Sequence, residues 1–125
     1  MPWLSNEILD GGLDVLDSSG TRLDICKTAE PTNYSEATTD GANSLGNKTG
    51  LNIPAPSERG GGGREVIVPA ITDGTVTETG TEAYYAITNG TDTLYATGAL
   101  SSGQAVTDTN TCTLTSFTIG IPDLA

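Results

Sequence analysis

The sequence predicts a mainly β domain, an antiparallel β-sandwich or barrel-like fold with one short N-terminal helix and a long irregular loop excursion. Three observations predict it. Residues 65–121 hold the runs EVIVPAIT, GTVTETG, EAYYAIT, DTLYATG, GQAVT and TCTLTSFTIGI, separated by turn signals such as TDG, TNGTD and SSG. Short, Thr-rich and aromatic runs at this spacing are the pattern of antiparallel strands. Helical periodicity is confined to residues 5–18, and residues 28–64 are rich in Pro, Gly, Asn, Ser and Thr. At 125 residues and 12.8 kDa the chain reads as one domain, 1–125, with room for a single modest core.

In the helix, Ser5 is placed to cap and Leu4 to staple, and Ile8, Leu9, Leu13 and Leu16 put an apolar stripe on one face. Gly11 and Gly12 each weaken it by about 1 kcal/mol relative to alanine, so it needs a surface to pack on. The stretch SSG at 18–20 ends it. TRLDIC then alternates, Leu23 and Ile25 on one face and Arg22, Asp24 and Cys26 on the other, as a half-buried strand does. Residues 28–64 are expected to form an excursion with short strands at most, lying against its own sheet or a neighbouring subunit. Asn89-Gly90 is a strong hairpin signal, since both residues accept the positive φ of a tight turn. Pro69 marks an edge strand or a bulge, and Gly120 a bend.

Composition excludes several functions. With 5 basic residues against 16 acidic ones and a net charge of -11, the surface repels phosphate backbones and anionic membranes. Neither nucleic acid nor membrane is expected as a partner. The N-terminus lacks the basic start and apolar core of a signal peptide, and no apolar run is long enough to span a bilayer. NYS, NKT and NGT match the glycosylation pattern but carry no weight without a secretion signal. Threonine is about a sixth of the chain; its branch suits a pleated face and its hydroxyl keeps that face soluble.

The run SERGGGGREV resembles a phosphate loop only superficially. Gly63 is followed by Arg64, Glu65 and a strand, with neither the Lys-Ser/Thr pair of a Walker loop nor a helix N-terminus to present amides. Gly60, Gly61, Gly62 and Gly63 instead offer a conformable hinge and close backbone approach, and are candidates for an interface. With no histidine, Ser-His-Asp, Cys-His and His-bearing metal sites are excluded. The acidic residues Asp10, Asp14 and Asp17 form a solvated helix stripe, and neither TNGTD nor TTDGANS matches a calcium loop. No cofactor, metal or catalytic residue is expected. Cys26 and Cys112 are too far apart for a CxxC motif and read as buried free thiols, or as a disulfide if the protein ends outside the cell. Trp3 closes the core under the helix or, with Leu4, anchors in a neighbour's pocket.

The stretches WLSNEILDGGLDVLD, RLDICKTAEPTNYSEATT, LGNKTG and LYATGALSSGQAVTDTNTCTLTSFTIGIPD resemble small β-rich virion structural proteins of tailed bacteriophages and prophages. The resemblance spans most of the chain and transfers no site residues. It implies a non-enzymatic capsid decoration, or cement, protein that stabilises the head shell as a homo-oligomer, a trimer being favoured, in contact with the major capsid protein or other virion proteins. The location it implies is the virion, after synthesis in the bacterial cytoplasm. A neck, collar or tail-fibre component, or a carbohydrate- or receptor-binding module, is the alternative.

Overall fold

The computed structural model describes residues 6–27, 30–39, 43–100 and 104–121, with backbone alone for 6–10. The helix forms as α1, Asn6–Ser19, within a residue of the expected span. Its Leu13 and Leu16 are buried, so tertiary packing offsets the two glycines. Ser5 and Leu4, the expected cap and staple, lie outside the described residues. The strands are β1 (Arg22–Cys26), β2 (Ser44–Thr49), β3 (Ser57–Glu58), β4 (Arg64–Val68), β5 (Ile71–Val76), β6 (Gly80–Thr81), β7 (Tyr84–Thr88), β8 (Leu94–Ala99), β9 (Ala105–Val106), β10 (Thr111–Leu114) and β11 (Phe117–Ile121); a short helix, α2, spans Tyr34–Thr38.

Six strands make one sheet in the order β10-β5-β2-β1-β7-β8, three make a second in the order β11-β4-β3, and β6 pairs with β9 in a small ribbon. All pairings are antiparallel. The arrangement is sandwich-like and does not close into a barrel. The core gathers Leu13 and Leu16 of α1, Leu23 and Ile25 of β1, Val66 and Val68 of β4, and Ile87 of β7, with Leu51 and Ile53 from the preceding loop. Alternate residues of each strand supply it, as the pleat requires.

Four expectations are corrected. The 28–64 excursion holds two short strands, β2 and β3, as expected; what differs is that SLGNKT, as β2, is an interior strand between β1 and β5. Its sparse apolar content reflects crowding: a Cβ at Gly46 would strike the Thr75 carbonyl oxygen of β5. β1 is not half-buried, since Asp24 and Cys26 are as covered as Leu23 and Ile25, and α2 lies over that second face through Ala37. TCTLTSFTIGI is two strands, with Thr115 and Ser116 carrying the chain from the six-stranded sheet to the other. Gly120 makes no break in pairing, since β11 keeps an unshifted register with β4; a Cβ there would lie 3.0 Å from Cδ of Arg59, so the glycine makes room for that side chain.

Pro69 sits between β4 and β5, where the chain changes sheet, and neither strand has to accommodate it. The Asn89-Gly90 hairpin is longer than a two-residue turn. Only Gly90 has positive φ, at 76°. Asn89 Oδ1 organises the loop instead, accepting from the backbone N–H of Thr91, Asp92 and Thr93 at 2.9, 2.9 and 3.1 Å.

Candidate interaction surface

Charge is distributed unevenly along this chain. Of its 21 charged residues (5 basic and 16 acidic), Asp108 alone falls within residues 93–122. That stretch supplies β8, β10 and β11, which are three of the four outermost strands of the two main sheets. The fold therefore places the neutral quarter of the sequence along sheet edges, and the end of β8, the end of β10 and the start of β11 meet around one cavity, on a molecule of charge -11.

Tyr85 of β7 forms the floor of this corner. Its ring passes against Gly98 of β8, where a Cβ would meet Cε1 at 2.6 Å and the hydroxyl at 2.7 Å. The same ring contacts Phe117 of β11, with centroids 4.5 Å apart and planes inclined by 42°, a separation at which aromatic pairs attract. Burial, and then the charge of Glu30, pushes the Tyr85 phenol above its usual range, so its hydroxyl stays protonated. Around the two rings lies a cavity of about 280 Å³ lined also by Leu100, Leu114, Thr115 and Thr118. This is just below the roughly 300 Å³ at which small-molecule pockets begin, and it suits one or two inserted side chains.

The glycine run forms the tip of the hairpin joining β3 to β4. Ser57 pairs with Glu65 and Glu58 with Arg64, and the N–H of Gly62 donates to the Arg59 carbonyl at 3.0 Å. Gly61, Gly62 and Gly63 have φ of 91°, 106° and 99°, a region open to glycine and closed to most side chains. The run is a shaped turn rather than a hinge. Arg59 folds back so that Nη1 donates to the Gly62 carbonyl at 3.0 Å, and its stem crosses β11 at Gly120. The hairpin thus reaches the far end of the β11 strand, whereas the cavity lies at its start. Trp3 and Leu4 lie outside the described residues.

Cys26 and Cys112 are both free and buried and belong to separate clusters. Burial, and then the Asp24 charge, pushes the Cys26 thiol up to about 12; burial is also the main cause of the upward shift at Cys112, followed by Glu82. Both shifts favour the thiol over the thiolate. No group of three or more Cys, Asp or Glu side chains able to hold a metal occurs among the described residues. Among those residues, too, no helix is long and apolar enough to cross a membrane.

Two buried carboxylates carry no signal in the sequence reading, which dealt only with the helix stripe of Asp10, Asp14 and Asp17. Asp24 is fully buried and accepts from Arg22 Nε at 2.7 Å, Arg22 Nη2 at 3.0 Å and Ser44 Oγ at 2.7 Å. Glu82 is 3% exposed, and its Oε2 has no hydrogen-bond partner among the described residues. The charge-poor corner was also missed, although its signal, a stretch between Asp92 and Asp123 whose one charge is Asp108, is visible in the sequence. Comparison with protein-family models, curated proteins and solved structures finds no match.

Proposed function

We propose that this chain is a non-enzymatic structural protein of a tailed-phage virion, a decoration protein that binds the assembled head shell as an oligomer, favoured as a trimer. The observation that carries the reading is the charge-poor, open-edged corner of a strongly acidic domain. Copies of charge -11 repel one another and stay soluble until they meet through a surface poor in charge, because beyond a Debye length of about 8 Å their remaining charges are screened. The phage-like phrases of the sequence supply the setting. Function there is thermodynamic: a protein that binds the assembled lattice better than its free subunits stabilises the lattice by linkage, and repetition multiplies the effect.

The test is quantitative mass spectrometry of purified particles from the source that encodes the chain. The expected result is an abundance comparable to the major capsid protein, with heads that open at lower temperature once the chain is stripped. Presence in only a few copies per particle would reassign it to the neck, collar or tail. Absence from particles would overturn the reading.

A further inference from the structure

The four outer edges of the two main sheets are not alike. β3 has two residues and carries Glu58. β10 has four residues and a register break between Cys112 and Leu114. Shortness, charge and bulges are the devices that stop a sheet edge from recruiting another strand. β8 and β11 are less protected: they run for six and five residues, LYATGA and FTIGI, without a charge or a proline. The register of β11 is unbroken, and that of β8 shifts only at its first pair, beside Thr88. Each has a strand on one side only, so along the other its main-chain groups lack a strand partner among the described residues.

We infer that these two edges pair with each other between copies, β8 of one chain adding to β11 of the next. The occupant is a second copy because the chain carries two unprotected edges of matching length, and a head-to-tail contact uses both. A like-with-like β8 contact would leave β11 bare. Charge points the same way, since the two edges are neutral while most of the surface that a foreign acidic strand or a randomly docked copy would meet is negative. Tyr85 and Phe117 fill the floor between the edges, which directs an added strand to the outer rim. A head-to-tail contact closes into a ring where the rotation between copies allows it and otherwise runs on as a filament; the contact follows from the edges, and closure at three copies rests on the virion reading.

The test uses two single variants of the full chain, Thr97→Cys on β8 and Thr118→Cys on β11, treated with a short bis-maleimide; the native thiols are buried and do not compete. A mixture of the two variants is expected to give mixed cross-linked dimers, each variant alone none, and the double variant a ladder ending at the closed ring. Circular dichroism melts confirm that each variant folds. Thr97→Lys, which adds a charge to the edge without altering the inner face, is expected to keep the folded circular dichroism spectrum, to lose the concentration-dependent part of the melting temperature and to turn the oligomer into a monomer by light scattering. Cross-links within a single-variant sample would show like edges in contact and overturn the inference. So would a multimeric chain that yields no mixed cross-link, or a parent chain that is monomeric at every concentration. Cross-links in a chain absent from particles would keep the ring and discard the virion setting; a chain abundant in particles without them would do the reverse.

Discussion

Arg22 and Asp24, two residues apart on β1, face the same way and form a bidentate ion pair, Nε–Oδ1 2.7 Å and Nη2–Oδ2 3.0 Å. The Asp24 side chain is wholly covered while that of Arg22 keeps 20% of its surface. Removing Arg22 takes away the charge that balances the buried carboxylate and leaves it the Ser44 hydroxyl as a donor. Arg22→Met is therefore expected to destabilise the fold by about 3 kcal/mol. Urea denaturation checks it, and Asp24→Asn in the same chain is expected to restore part of the loss.

The glycine hairpin separates its four positions. Gly60 has no positive φ and a Cβ there meets nothing within 4 Å, so Gly60→Ala is expected to be neutral or slightly stabilising. Alanine at Gly61, Gly62 or Gly63 is expected to cost about 1 kcal/mol or more at each site, because their φ values oppose a side chain. Thermal melts of the four single variants decide it, and equal effects would refute the shaped turn.

Gly98→Ala tests the Tyr85 contact. The added methyl would lie 2.6 Å from the ring, and a ring that shifts to admit it changes its contact with Phe117. The expected cost is about 1–3 kcal/mol. In a Tyr85→Ala background the same change is expected to cost much less, and a double-mutant cycle measures the difference.

Glu82 sets a pH dependence. Burial raises its carboxyl above the usual range, so the folded state binds this proton more tightly than the unfolded one. Its stabilising contribution is complete below the unfolded value and is lost as pH rises through the folded one. Glu82→Gln is expected to raise the melting temperature at pH 7 and to lose that advantage at pH 3. An equal shift at both pH values would show that ionisation is not the cause.

The elements with strong local signals were legible. α1, β1, β4, β7 and β8 lie where apolar periodicity places them, because an amphipathic pattern has one favourable way to meet a core. β2 was not legible: SLGNKT earns its interior position from Gly46 fitting against β5 and from Ser44 bonding to Asp24, partners remote in sequence. α2 had a readable sign that went unused. Asn33 Oδ1 accepts from the Glu36 N–H at 2.9 Å, and Glu36 Oε2 accepts from the Thr32 N–H at 2.9 Å, so the NYSE stretch acts as a helix start where it had been weighed only as a glycosylation triplet. The interface candidates were read from flexibility and a lone tryptophan. Edges escape such a reading, because whether a strand is outermost is decided by the pairing of distant segments.

The order of the six-stranded sheet places β5, β2, β1 and β7 inside and the later-made β8 and β10 at its rims. A chain leaving the ribosome N-terminus first completes its inner strands while the final quarter is still being synthesised. The rims, together with β11, appear last. On the edge pairing inferred above, subunits crowded on one message would present only their charged portions to one another during translation, and synthesis itself would act as a clock that holds back association until each subunit is finished.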